Sequence, residues 1–239
     1  MSDGGYRSVS VDGSDMACYV HVPDDAQGAP GVVVLGGTDR VSAHIKGVVD
    51  RLAAEGIAAS ALDLFHRGDR KPAPGEPTSS TLHVAELVAD VRGAIGDLSA
   101  SGAVAPERIG IVGFTVGGLV TYLMSGLIPD LRAAVAFAPS YVFRPLGGGK
   151  DPAPFDVTAD IRCPLLIFTG QDDWHPSPED AARMDEELTR LGKVHEVHTY
   201  PGVGHGRIVF TDDEGGDPRK ADAGEDAWSR CLEWLHRYL

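Results

Sequence analysis

The segment IGIVGFTVGGLV, residues 109–120, places one hydroxyl-bearing residue, Thr115, among closely spaced glycines. A nucleophile elbow has this outline: a strand turns sharply into a helix and presents a reactive side chain at the apex. Such a turn leaves no room for side chains two residues on either side, and Gly113, Gly117 and Gly118 meet that requirement. The sequence therefore predicts a catalytic hydroxyl at Thr115.

Backbone N–H groups near this apex are candidates for an oxyanion hole. The N–H of Val116, at the start of the predicted helix, would face a developing negative charge. A second donor is expected from the turn after an earlier strand, and the Thr38 N–H is the candidate. Beside it, Gly37 and Asp39 are predicted to contact substrate. Asp39 would otherwise cap the following helix or serve as an additional acid or base.

An acid and a base follow Thr115 along the chain. TGQDDWHP (169–176) ends an apolar run with two carboxylates, and YPGVGHG (200–206) carries His205 in a glycine-rich loop. The order apex, acid, base is that of α/β-hydrolases. Such a histidine would direct Nδ1–H to the carboxylate and Nε2 to the apex. Both Asp172 and Asp173 are available as the acid, and the motif favours Asp172.

Four ring-bearing residues are predicted to line the substrate pocket. Trp174 and His175 follow the two carboxylates, and Tyr141 and Phe143 follow the end of another predicted strand. The cysteines are three and scattered, which indicates buried thiols rather than disulfides or metal ligands. No residue spacing indicates a metal site, and no cofactor is expected.

Short apolar runs alternate with helical patterns from residue 30 onward, which predicts a mostly parallel sheet with helices on both faces. An antiparallel hairpin over residues 8–22 precedes it, and the whole chain, 1–239, is predicted to be one domain. The predicted strands are 30–37, 57–65, 108–114, 133–139, 164–170 and 194–201. The predicted helices are 42–55, 80–100, 116–125, 177–192 and 226–239. Stretches rich in proline, glycine and charge predict loops at 67–80, 144–156 and 211–224.

The net charge of the 239-residue chain is −14, which argues against a partner that is a nucleic acid. No apolar run approaches the length of a membrane helix, and the N-terminus has no pattern of a secretory signal. The sequence predicts a cytoplasmic protein, monomeric or homodimeric, that acts on a small molecule and binds no membrane.

Several segments together make the chain resemble the dienelactone hydrolase family of α/β-hydrolases. They are VGFTVGG, PLLIFTGQDD, PGVGHG, LAAEGIAASALDLFHR and DAWSRCLEWLHRYL. The resemblance implies the α/β-hydrolase fold and action on a small ester, lactone or related carbonyl compound. The family's elbow reads G-x-C-x-G-G, so Thr115 stands at the position of its nucleophilic cysteine. Asp172 and His205 match its acid and base, and Gly37 stands where the family has a thiol-activating glutamate.

Threonine at the apex leaves its role open. A β-branched residue is unusual at a positive φ angle, and its hydroxyl is a weaker nucleophile than a thiolate. Thr115 would be a covalent nucleophile, a group that positions water or substrate, or the remnant of a lapsed site. One alternative function is a cyclase, lyase or isomerase with His205 as general base. The other is a non-catalytic ligand-binding protein of the same fold.

Overall fold

The protein is described by a computed structural model covering residues 4–68, 70–100, 102–205 and 218–239, without the side chains of 218–221. Within these ranges the strands are β1 (Gly5–Val11), β2 (Ser14–His21), β3 (Ala29–Leu35), β4 (Ala58–Leu62), β5 (Val104–Phe114), β6 (Ala133–Phe137), β7 (Leu165–Gly170) and β8 (His195–Tyr200). They form one sheet in the order β1-β2-β4-β3-β5-β6-β7-β8. In this spatial order, all neighbouring strands from β4 through β8 pair in parallel. Strand β2 pairs antiparallel with both of its neighbours, β1 and β4. The predicted α/β-hydrolase architecture with its N-terminal hairpin is confirmed.

Helices cover both faces of the sheet. Within the described ranges the α-helices are α1 (Ala43–Ala54), α2 (Val84–Ala100), α3 (Val116–Leu127), α4 (Pro178–Arg190) and α5 (Pro218–Tyr238). Side chains of α1 and α5 pack in one core cluster, and those of α2, α3 and α4 pack in the other. Among the described residues, no helix combines the length and apolar character that crossing a bilayer requires.

The central strands are buried on both faces, as their continuous apolar sequences predict. In β3, Val33 and Leu35 belong to one core cluster, while Val32 and Val34 belong to the other. This alternation follows from the two-residue period of a strand. Each such side chain contributes about 1.5–3 kcal/mol to the free energy of folding when it is fully removed from water. The centre of the sheet is therefore a main source of the stability of the fold.

Three element boundaries differ from the prediction by four residues or more. The helix predicted from residue 80 begins at Val84, because residues 78–81 form a 3₁₀ turn. Strand β5 begins at Val104, ahead of the predicted 108. The last helix begins at Pro218, within the loop predicted at 211–224, of which residues 211–217 lie outside the described ranges.

The strand order creates a crevice at one edge of the sheet. From β3 the chain runs outward to β4, and it then returns to place β5 on the other side of β3. The helices that follow β3 and β5, α1 and α3, therefore pack on opposite faces. In open α/β sheets, ligands bind beyond the carboxyl ends of the strands at such a switch point. Thr115 follows β5 at this edge, and Gly36 and Gly37 follow β3.

The close packing of α3 on β3 predicts a stability defect in Gly117→Ala. A Cβ at Gly117 would collide with the carbonyl oxygen of Leu35 and lie 2.7 Å from that of Gly36. We expect a loss of about 2–3 kcal/mol in the free energy of unfolding, as for overpacked cores. Urea unfolding would measure it.

The matched control is Gly96→Ala, on the exposed face of α2, where a Cβ meets nothing within 4 Å. This change should stabilise the protein by about 0.5–1 kcal/mol, since glycine is unfavourable inside helices. Equal stability of the two variants would contradict the close approach of α3 to β3.

Candidate active site

Thr115 occupies the apex of a nucleophile elbow. Its backbone has φ 53° and ψ −107°, between the end of β5 and the start of α3. Non-glycine residues in such regions carry strain of about 1–3 kcal/mol. The conformation is held by the backbone on both sides: the Thr115 N–H donates to the Phe137 carbonyl at 2.9 Å, and its own carbonyl accepts from the Leu119 N–H at 3.0 Å.

The glycines around the apex are sites of backbone contact. A Cβ on Gly113 would collide with the backbone of Gly117 and the hydroxyl of Thr121. A Cβ on Gly118 would lie 2.8 Å from the carbonyl oxygen of Phe137. The predicted steric reason for these glycines is therefore confirmed, and it brings the N-terminus of α3 against the sheet.

His205 forms a hydrogen-bonded pair with a buried carboxylate. Its Nδ1 lies 2.8 Å from Oδ2 of Asp173, whose side chain is only 2% exposed, while the imidazole is 38% exposed. Asp173 Oδ1 accepts the backbone N–H of His175 at 2.9 Å, and its own N–H donates to the Gly170 carbonyl at 3.2 Å. Carboxylate and imidazole are thus oriented as in a charge-stabilised general base.

The prediction that Asp172 pairs with His205 is wrong. The Asp172 N–H donates to the Val203 carbonyl at 2.9 Å, which ties the loop after β7 to the loop after β8. Asp172 is exposed where it lines the cavity, whereas the next residue, Asp173, is buried. The backbone of this tight turn thus determines which of the two neighbouring carboxylates meets the histidine.

A cavity of about 470 Å³ lies beside the His205–Asp173 pair. It is lined by Ser140, Tyr141, Asp172, Asp173, Trp174, His175 and His205. The Tyr141 and His175 rings pack with centroids 4.3 Å apart, and Trp174 is 82% exposed at the rim. Three of the predicted lining residues, Tyr141, Trp174 and His175, are therefore found at the cavity. Phe143 packs on Phe155 instead, and Ser140 had not been predicted from the sequence.

Thr115 is joined to this cavity through Ser140. The Ser140 N–H donates to the Thr115 carbonyl at 3.2 Å, and the Ser140 hydroxyl donates to the His175 carbonyl at 3.0 Å. The apex of the elbow and two residues of the cavity wall are thus held together by hydrogen bonds.

The turn after β3 approaches Thr115 from the other side. A Cβ placed on Gly37 would lie 2.8 Å from Thr115 Oγ1 and 3.2 Å from Asp39 Oδ1. The threonine hydroxyl and the aspartate carboxylate therefore converge on the space that the glycine leaves open. Arg40, at the end of the turn, donates to Asp63 at 2.8 Å and fixes its position.

Two backbone N–H groups near the apex were predicted to form an oxyanion hole. Val116 is the first residue of α3, where N–H groups lack acceptors within the helix. Thr38 lies exposed in the turn after β3, next to Gly37. Val116 follows Thr115 in the sequence and Thr38 follows Gly37, and these two preceding residues approach each other closely. The function of the two N–H groups as donors stays a prediction.

The three cysteines are buried, and their thiols stay protonated at neutral pH. Burial raises the pKa of the thiols of Cys18 and Cys163 to about 12, and it raises that of Cys231 as well. A thiol with a raised pKa stays protonated, and the protonated form is a poor nucleophile.

Sequence comparison places the chain near known hydrolases. The model of the dienelactone hydrolase family matches residues 16–239. A provisionally named carboxymethylenebutenolidase of Salmonella typhi is 33% identical and aligns with 98% of this chain and 87% of its own length. A provisionally named carboxymethylenebutenolidase of Synechocystis is 28% identical over 94% of this chain and 92% of its own length.

Solved structures share the fold. A provisionally named dienelactone hydrolase from Klebsiella pneumoniae has a TM-score of 0.86 and 27% identity, with 98% of each chain covered. A thermophilic esterase from Thermogutta terrifontis, solved with propionate bound, has a TM-score of 0.72 and 22% identity, with 98% of this chain and 94% of the esterase covered. At that identity the second likeness concerns the fold alone.

The buried thiols predict resistance to alkylation. Iodoacetamide at pH 8 should leave the folded protein unmodified for hours, because the thiolate fraction is small and the sulfurs are buried. Intact mass spectrometry would follow the modification, with the urea-unfolded protein as the control that takes up three labels. Rapid labelling of one cysteine in the folded protein would show that its environment differs from the structure.

Proposed function

Because the chain belongs to the dienelactone hydrolase family, we propose that it hydrolyses small esters or lactones at the cavity beside Thr115. The observation that carries the proposal is the hydrogen bond between His205 and the buried Asp173 at the wall of this cavity. A cavity of about 470 Å³ suits a small substrate.

In the proposed reaction His205 is the general base. Its Nδ1 is bonded to Asp173, so Nε2 is free to accept a proton while the carboxylate stabilises the resulting imidazolium. Nε2 takes a proton from water, and the hydroxide oxygen attacks the carbonyl carbon. The tetrahedral oxyanion collapses, the bond to the leaving alkoxide breaks, and that alkoxide takes the proton back from His205. The products are a carboxylic acid and an alcohol.

Thr115 positions the reactants and forms no acyl-enzyme in this proposal. Its β-branched side chain stands on a strained backbone, and a hydroxyl carries no appreciable alkoxide near neutral pH. Its Oγ1 shares the space over Gly37 with the Asp39 carboxylate. A water molecule placed there would accept a hydrogen bond from the Thr115 hydroxyl and donate one to the Asp39 carboxylate.

The N–H groups of Val116 and Thr38 complete the proposed site as oxyanion donors. The start of α3 adds the positive end of a helix dipole to the Val116 N–H. Each donor of this kind contributes about 10²–10³ in rate when it is fixed before the reaction. Tyr141 and Trp174, at the cavity wall and rim, would hold the apolar part of the substrate.

The first prediction of this proposal compares His205→Ala with Thr115→Val. With p-nitrophenyl acetate, kcat/KM should fall by about 10²–10⁴ in His205→Ala, because the general base is lost. Thr115→Val keeps the branched shape and removes one hydroxyl, so the loss should be about tenfold or less. Wild type should show no mass adduct during turnover.

Two outcomes would contradict this assignment. If both variants fall equally to background and wild type carries an acyl adduct on Thr115, then threonine is a covalent nucleophile. If wild type has no esterase activity on any ester or lactone but binds such compounds, then the site binds ligands without hydrolysing them.

A second prediction separates the two neighbouring aspartates. Asp173→Asn should lower kcat by at least about 10², because the amide no longer stabilises the imidazolium or fixes its tautomer. Asp172→Asn is the matched control, and its kcat should stay within about threefold, as expected of a surface change. A severe loss confined to Asp172→Asn would restore Asp172 as the acid.

A further inference from the structure

A second, larger cavity lies outside the site described above. Its volume is about 700 Å³, and its walls come from the loop at 70–76, the 3₁₀ turn at 80–81 and the segment 144–150. The residues that line it differ from those lining the catalytic cavity. Neither the proposed hydrolysis nor the hydrogen-bond network around Thr115 uses it.

This cavity concentrates positive charge in an acidic protein. The chain has 35 Asp and Glu against 21 Lys and Arg. The cavity wall reverses that balance, with four cationic side chains and His83 against one carboxylate, Glu76. The cations are Arg70, Lys71, Arg144 and Lys150. Glu76 lies 3.5 Å from Arg144, and Glu86 pairs with Arg70, so the surplus positive charge of the wall is that of Lys71 and Lys150. Two like charges on one cavity repel each other, and a bound anion would relieve that repulsion.

Carboxylates outside the cavity orient two of the side chains that line it. Arg70 donates to Glu86 through two N–H groups, at 2.6 and 2.8 Å, and this pairing raises the pKa of the guanidinium. A guanidinium has five N–H donors, so the pair orients the group without using all of them. His83 is oriented similarly by Asp151, at 3.1 Å.

One part of the wall is glycine backbone. Gly147, Gly148 and Gly149 have φ angles of 59°, 65° and 86°, a conformation that favours glycine. A Cβ on Gly147 would collide with Asp151 and lie 2.9 Å from His83 Nδ1. At Gly148 and Gly149, by contrast, a Cβ would meet nothing within 4 Å, so a ligand in the cavity can approach the backbone closely there.

We propose that this cavity binds a small organic or inorganic anion carrying two or more negative charges, such as a diphosphate or a tricarboxylate. Its volume exceeds what a single phosphate needs, and its cations come from separate chain segments, which suits charges that are spaced apart. Larger polyanions are excluded because the acidic remainder of the surface repels them.

Arg144 connects this cavity to the catalytic one. Its guanidinium lies 5.5 Å from the centre of the Tyr141 ring, and Tyr141 packs on His175 in the wall of the catalytic cavity. An anion that binds Arg144 would therefore hold a side chain that contacts Tyr141, and Tyr141 lines the substrate pocket.

The test is isothermal titration calorimetry at low ionic strength with pyrophosphate and with citrate as separate probes. At least one should bind, and Lys150→Glu should weaken that binding at least tenfold. Which probe binds distinguishes a phosphate ligand from a carboxylate ligand. Arg162→Glu is the matched control, since it changes the net charge equally at an exposed position ahead of β7, and it should bind within about twofold of wild type.

The proposal is overturned if neither probe binds wild type, or if Arg162→Glu weakens binding as much as Lys150→Glu. Thermal unfolding of each variant checks that it is folded. His205→Ala should bind the anion as wild type does, so a failure of the proposed hydrolysis and a failure of this site are distinguishable.

Discussion

The left-handed backbone at Thr115 depends on the packing of α3 against the sheet. A strain of about 1–3 kcal/mol at one residue persists only where the surroundings hold it in place. Here residues 116–125 of α3 are all buried, and Gly117 touches the last residues of β3. Burial of a helix on that scale contributes far more than the strain costs. The packing that stabilises the domain thus also fixes the apex of its site.

Because the backbone holds the apex, the side chain there can change without loss of the turn. The elbow keeps its geometry with threonine at φ 53°, and the flanking glycines and hydrogen bonds are in place. Chemistry that relies on a fixed base and on backbone donors does not need the apex to be nucleophilic. In our proposal the reaction therefore rests on His205 and the N–H groups, while Thr115 supplies shape and one hydroxyl.

The sequence predicted the parts of this molecule that follow from periodicity and steric exclusion. Apolar runs located the buried strands, and the glycines around Thr115 located the elbow, since both are local consequences of the residues themselves. The prediction of the partner of His205 is wrong because Asp172 and Asp173 are adjacent, and the backbone path of the turn, with its bonds to Val203 and Gly170, is a tertiary feature that no local pattern gives. Ser140 reaches the cavity through tertiary packing, and no local pattern marks it.

Net charge and local charge act at different ranges in this protein. At physiological ionic strength charges are screened within about 8 Å, so the overall value of −14 has little influence inside a cavity whose walls carry four cations. A small anion that reaches the cavity experiences the nearby Lys71 and Lys150, whereas a long polyanion also meets the acidic surface beyond them. Arg144, one of these cations, also contacts the ring of Tyr141 in the catalytic cavity. Selectivity for small, multiply charged anions is therefore a consequence of where the few cations of this acidic chain are placed.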